Sequence, residues 1–376
     1  MAIARHRRNL RQYHLRSIAV KSIALLAFGA LLPCVYLAGV TGAWIETNWA
    51  FLYLTLPIGL LFTRIKMTSV HWAGLALIAW VGLSTLWGPS NYQSIEGILK
   101  FSVLILGFIL GAECKDPKWL LRGLAIGMTI NGILALKQFE GFEGVFQTAS
   151  PAGLLVNPDT LAETSALVVI LLAVENMLYP WALMLWPGLL LTGSRAGWFV
   201  LGVFFVVWLW GKSKLLSAIL LMIGFAGIIY ASFERFTSSN ERLFIWLDTI
   251  SGLTIYGHGI GSFSYLYPSF ATHLNTAAGR PVHAHSDILE LAFELGFVGL
   301  ALATVFMVLV YERANQTGKA VLISFVALAT ISFPLHVPVS AFIFAFMAGL
   351  CVNYWGSSEP VLNPSRLLYA KGMADR

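Results

Sequence analysis

VHAHSDILELAFELGFVGL, residues 282–300, decides how the rest of the chain is read. Two histidines and an aspartate stand directly before a long apolar run, at the end of the longest polar loop in an otherwise lipid-soluble chain. Such a run is a membrane-helix pattern. Ionisable groups kept at a membrane edge are costly, which makes them functional candidates by default.

Working outward, the chain has 376 residues, of which 58% are hydrophobic and 11% charged, with a mean hydropathy of +0.76. Soluble domains carry about 25% charged residues, so the composition indicates an all-α, polytopic integral membrane protein. The net charge of +6 is no nucleic-acid signature. Arg5, Arg7, Arg8, Arg11, Arg16 and Lys21 flank the first apolar run and form a cytoplasmic anchor. That run reads as a retained helix rather than a signal peptide. Cys34, Cys114 and Cys351 follow no metal spacing and give no disulfide framework.

A helix needs about 20 residues to cross a bilayer, and apolar runs suggest about twelve spans. They lie near 18–40, 49–63, 69–87, 95–112, 119–137, 161–178, 181–193, 196–210, 215–232, 288–310, 320–337 and 339–355. Nothing divides the chain, so 1–376 is expected to be one membrane domain. Its basic N-terminus (1–17) and tail (356–376) are assigned to the cytoplasm, and a large loop (233–287) to the other side. Arg64 and Lys66, Lys115 and Lys118, Lys212 and Lys214, and Arg313 and Lys319 mark cytoplasmic turns. Connections 41–48, 88–94 and 138–160 hold no Lys or Arg. Between Lys118 and Lys212 the number of crossings must be even. The stretch 181–210 would be about 45 Å long as one helix, more than a bilayer needs, and would make the count odd. A split at Gly193-Ser194-Arg195 restores parity and places Arg195 at an outer turn.

Several residues could carry chemistry. Arg195 is either an anchor for lipid headgroups or a fork that binds phosphate bidentately, with small neighbours that admit a ligand. In ERLFIWLDTI (241–250) Leu243, Trp246, Leu247 and Ile250 recur at helical spacing. This predicts a short amphipathic helix on the membrane, with Arg242 near its start as a solvated charge or a second phosphate ligand. YGHGIGSF (256–263) reads as a structural turn, with an anion nest at Gly259 and Gly261 as the other reading. Asp287 and Glu290 suggest a capped helix start, so His283 and His285 precede it in an extended lead-in and face the same way. His-x-His can bind zinc, yet only His273 could fold back to help, so no metal or other cofactor is expected. One histidine acting as base or positioning an acceptor is favoured over a purely structural role. Glu290 and Glu294 could orient a histidine or an arginine. Glu163 is a further ionisable group near an outer edge, and His336 reads as a packed helix-end residue. Arg280, His283, Asp287, Gly259 and Gly261 complete the candidate substrate-binding set.

In this order, NPDTLAE (157–163), LTGSRAGW (191–198), the Arg242–Trp246 helix with GHGIGSF, and HAHSDILELAFELGFVGL resemble the O-antigen ligase and polymerase superfamily of bacterial envelope glycan assembly. Asp159 stands where that family often carries asparagine. The resemblance implies a GT-C-like membrane glycosyltransferase in the bacterial inner membrane. Such an enzyme moves a glycan from undecaprenyl pyrophosphate to an acceptor hydroxyl on the periplasmic face, with inversion and without metal. It further implies that Arg195 and Arg242 hold the pyrophosphate and that His285 activates or positions the acceptor. That acceptor would be lipid A–core for a ligase, or a second lipid-linked repeat for a polymerase. A transporter is disfavoured because the spans hold few ionisable residues and no inverted repeat is evident. A lipid–glycan binding protein without activity remains the third reading.

Overall fold

Each expected span carries helix. The computed structural model describes residues 21–35, 44–61, 63, 65, 67–141, 151–155, 157–222, 238–272 and 281–356. Arg235, His273, Arg280, the basic N-terminus and all but the first residue of the tail lie outside the described residues. The helices in chain order are α1 (21–31), α2 (Trp44–Leu60), α3 (Ser69–Ser84), α4 (Asn91–Glu113), α5 (Lys118–Phe139), α6 (Pro158–Val174), α7 (Leu178–Leu190), α8 (Arg195–Trp210), α9 (214–222), α10 (Ser238–Ser251), the short α11 (Phe263–Leu266), α12 (Asp287–Arg313), α13 (Gln316–Ile331) and α14 (Pro338–Val352). No β-strand occurs among the described residues; Ala314 and Gly356 form one isolated bridge. Among the described residues, four helices are long and apolar enough to cross a membrane: Ser69–Trp87, Asn91–Glu113, Lys118–Phe139 and Asp287–Arg313. Lys21–Cys34, Arg195–Trp210, Gln316–Ile331 and Pro338–Val352 are apolar but shorter. The expected split at Gly193-Ser194-Arg195 is present, because α7 ends at Leu190 and α8 begins at Arg195.

The core sits on α14, a helix apolar on every face and buried along nearly its whole length, as expected of a helix surrounded by others. It packs backbone to backbone on α4, where Gly111 lies against the Phe346 carbonyl. Small residues four apart in α4, Gly107 and Gly111, allow that approach, a common device between membrane helices.

Hydrogen bonds sort the helix ends into two sets. At one end, Arg313 donates to Ser69 Oγ and Asn353 donates to the Ala112 carbonyl. Tyr354 and Trp355 there donate to Glu175. The Lys115 and Lys118 turn and the Arg313 and Lys319 turn belong to this end. At the other end lie the starts of α6, α8 and α12 and the α13–α14 connection. Among the described residues, α3 to α8 and α12 to α14 run alternately between these two ends.

α12 is interrupted at Gly296, whose φ of 70° and ψ of −175° are not helical. The loop 254–259 repairs the break. The amides of His258 and Gly259 donate to the carbonyls of Phe293 and Glu294, and Trp80 Nε1 donates to that of Leu295. In return, Phe297 and Val298 donate to the carbonyls of Thr254 and Ile255. The glycine run is therefore used for close backbone packing. A Cβ at 296 would fall on the Gly257 nitrogen and the Ile255 carbonyl oxygen.

Gly296→Ala should therefore destabilise the protein by more than about 2 kcal/mol, since strain and steric overlap combine. Gly193 shares the left-handed backbone (φ +67°) but faces open space, so Gly193→Ala should cost only about 1–2 kcal/mol. Thermal melts of both variants in detergent would test this; equal losses would mean that packing at 296 contributes nothing.

Candidate functional site

The α12 start differs from the expectation in one detail. Ser286, not Asp287, is the N-cap, and its hydroxyl accepts from the Leu289 amide at 3.4 Å. That shift points both carboxylates of the first turn, Asp287 and Glu290, into the protein, where each residue is 3% exposed. Asp287 accepts from His336 Nδ1 (2.8 Å) and the Leu335 amide (2.8 Å). Glu290 Oε1 lies 2.9 Å from His283 Nδ1 and 3.2 Å from His336 Nε2, while Oε2 accepts from the Ala284 amide at 2.8 Å. With carboxylates on both its nitrogens, His336 is held as an imidazolium. Burial alone would lower its pKa, but Glu290 and then Asp287 reverse this and lift it to about 9. His336 is thus a central member of the site, and the expectation of a bland helix-end residue is corrected. Its partners are 49 and 46 positions away in sequence, so no local pattern could reveal them.

The lead-in to α12 is not extended at His285. Its φ is 52°, in the left-handed region rarely occupied outside glycine, so the two histidines do not simply share a face. The His283 ring stacks on Phe333 (5.0 Å, 25°) and lies tilted against His336 (4.3 Å, 39°), whereas His285 meets the edge of Phe333 (5.1 Å, 76°). The His285 ring makes no hydrogen bond among the described residues. Burial, then the charges of Arg242 and His283, hold its pKa down to about 4, so it is neutral at physiological pH.

Arg242, in the second turn of α10, reaches the Ile331 carbonyl (3.4 Å) and lies 3.8 Å from Asp159. α10 presents Leu243, Leu247 and Ile250 outward while Asp248 and Thr249 are buried, the reverse of a soluble amphipathic helix. Trp246 Nε1 donates to the Ala284 carbonyl and so ties α10 to the histidine loop. Asp159 stands in the first turn of α6, capped by Asn157. One turn on, buried Glu163 accepts from Ser332 Oγ at 2.5 Å. Arg195 opens α8 two residues before Gly197, which packs against Ala162 of α6, so it lies at the same end of the bundle as Asp159. Its side chain is exposed and forms no ion pair among the described residues.

The structure thus brings His283, His285, Asp287 and Arg242 together and puts Arg195 at the same end. Arg280 is outside the described residues. Gly259 and Gly261 are occupied by backbone packing on Gly88 and Gln93. A cavity of about 930 Å³ runs from His283, Glu290 and His336 between α3, α4, α12, α13 and α14, and its walls are mainly apolar. The ligand atoms of His283, Glu290 and His336 all lie within 4.8 Å of one another, a donor set that could accept a divalent ion.

Residues 181–304 match the family described as O-Antigen ligase. Two proteins, each named "Putative polysaccharide ligase", are similar in sequence. One, from Rickettsia felis, is 33% identical over 89 residues, which is 22% of this chain and only about a fifth (21%) of that relative. The other, from Rickettsia conorii, is 24% identical over 285 residues, 67% of this chain and 69% of that protein. The resemblance to O-antigen ligases is shown over the segment that contains Arg195, Arg242 and both histidines.

His336 has an unfolded value of 6.5 and a folded value of about 9. Its charged pairing therefore stabilises the fold fully below about pH 6.5 and is lost as pH rises through 9. The melting temperature in detergent should fall between pH 7 and 10. His336→Gln should melt lower at pH 7 and lose less on going to pH 10; parallel curves would remove His336 as the source.

Proposed function

We propose that this chain is an O-antigen ligase-like glycosyltransferase, moving a glycan from undecaprenyl pyrophosphate to an acceptor hydroxyl at the periplasmic face of the inner membrane. In this reading it is one membrane domain of about twelve spans. The loop 233–287 is periplasmic, and both termini are cytoplasmic. The observation that carries the proposal is convergence. Arg195, Arg242, Asp159 and His285 come from four separate segments to one end of an apolar bundle, beside a long apolar cavity of about 930 Å³. A cavity of that character suits a polyisoprenyl chain, and guanidinium groups at the same end of the bundle, outside the cavity lining, suit a pyrophosphate.

The chemistry then asks little of the protein. The acceptor oxygen attacks the anomeric carbon and the bond from that carbon to the pyrophosphate oxygen breaks. The acceptor proton passes to His285 and on to water. Charge gathers on the leaving pyrophosphate, where Arg195 and Arg242, with Arg280 as a further ligand, neutralise it. Neutral His285 has a free lone pair for the hydroxyl. Because Arg242 helps depress its basicity, a pyrophosphate bound to Arg242 would make the ring a stronger base only once donor is present.

A reconstituted transfer assay with an undecaprenyl-pyrophosphate-linked glycan tests this, offering lipid A–core or a second lipid-linked repeat as acceptor. His285→Ala should lose about 100-fold or more in turnover while keeping donor binding. Arg242→Lys should also lose activity, because a point charge does not replace a bidentate fork. Chain growth on the lipid-linked repeat would make the chain a polymerase, and full activity in His285→Ala would remove that residue from the reaction. EDTA should leave transfer intact; inhibition reversed by zinc would put a metal at His283, Glu290 and His336.

A further inference from the structure

His285 occupies a left-handed backbone conformation (φ 52°) that is strained for a residue with a Cβ. Its own ring does not repay that, since it forms no hydrogen bond among the described residues. Strain of this kind persists only where the neighbours over-determine it. Both neighbours are indeed fixed. Upstream, His283 and the Ala284 amide bind Glu290, and the Ala284 carbonyl binds Trp246. Downstream, the Asp287 amide donates to the Ser332 carbonyl, and its carboxylate binds Leu335 and His336.

Glu290 reaches both sides. Oε1 meets His283 and, through His336, the group that holds Asp287; Oε2 takes the Ala284 amide. We propose that Glu290 is a positioning residue, clamping the chain on either side of His285 so that this histidine stays left-handed with its ring free for the acceptor hydroxyl. The proposal rests on the assignment of His285 to the acceptor. His336 takes part as the cation that fastens Glu290 to Asp287. Glu290 sits one helical turn into α12, so the clamp is carried by a rigid element and not by the loop it restrains.

Glu290→Gln is nearly isosteric, yet an amide cannot accept on both arms. Whichever way it turns, either the Ala284 amide or the two imidazoles face a donor. A double-mutant cycle with His285→Ala separates positioning from a general loss of stability. In the otherwise native protein, Glu290→Gln should lower kcat about tenfold at unchanged donor KM. In the His285→Ala background it should cost less than twofold. Glu294→Gln is the control, being an equally buried carboxylate on the same helix that accepts from the Phe263 amide; its cost should be the same in both backgrounds.

Equal losses from Glu290→Gln in the two backgrounds, or a folded Glu290→Gln protein with native kcat, overturn the proposal. Unchanged activity in His285→Ala alone would instead overturn the assignment of that residue. If Glu290→Gln does not fold, His336→Asn goes through the same cycle with the same expectation, and additivity there overturns the clamp.

Discussion

Two carboxylates are buried in the first turn of α12, and an uncompensated carboxylate in a protein interior costs several kcal/mol. Asp287 and Glu290 are tolerable only because His336 lies between them and backbone amides take their remaining oxygens. Much of the site follows from that requirement. The α13–α14 connection must stay where it delivers His336, which places Ser332 against Glu163 of α6 and the Ile331 carbonyl against Arg242. The Ala284 amide must stay on Glu290, which keeps its carbonyl under Trp246 of α10. One buried ionic group thereby registers α6, α10, α12 and α13 on each other.

The same arrangement sets Phe333 against both histidine rings, with His283 in the cavity lining and His285 outside it. His283, Glu290 and His336 close the apolar cavity. His285 meets the edge of Phe333 and lies within the electrostatic influence of Arg242 and Asp159. A lipid-linked donor has just such a division, with a chain that avoids water and a head that is charged. The long Arg242–Asp159 separation of 3.8 Å, with both side chains half exposed, adds little to stability and leaves the guanidinium available to a better anion.

Much of the helical layout was legible in the sequence. Apolar runs located the helices, and parity located the α7–α8 turn, because charge bias and helix length are properties of local composition. HAHSD and Arg242 were found for the same reason, as ionisable residues in a lipid-soluble chain. The break at Gly296 has no signal in ELGFVGL (294–300), because a glycine between Leu295 and Phe297 looks like any other glycine in an apolar helix. The left-handed His285 escaped because its cause is a carboxylate five positions later that accepts from the chain behind it. His336 carries no local signal because its partners are close in space and distant in sequence. The cap is Ser286 and not Asp287, and that single step turns Asp287 from a backbone cap into a buried carboxylate.

The interrupted α12 also has a consequence for biogenesis. Loop 254–259 leaves the ribosome about forty residues ahead of the strand of peptide groups it pairs with at 293–298. Until that partner arrives, the Gly257 amide has Thr254 Oγ1 and the Gly259 carbonyl has the Ser262 amide, but the groups that pair with 293–298 have only water, and they cannot enter hydrocarbon unsatisfied. The loop must therefore wait at the membrane surface while α12 is being made, and the two settle together as one late event of assembly.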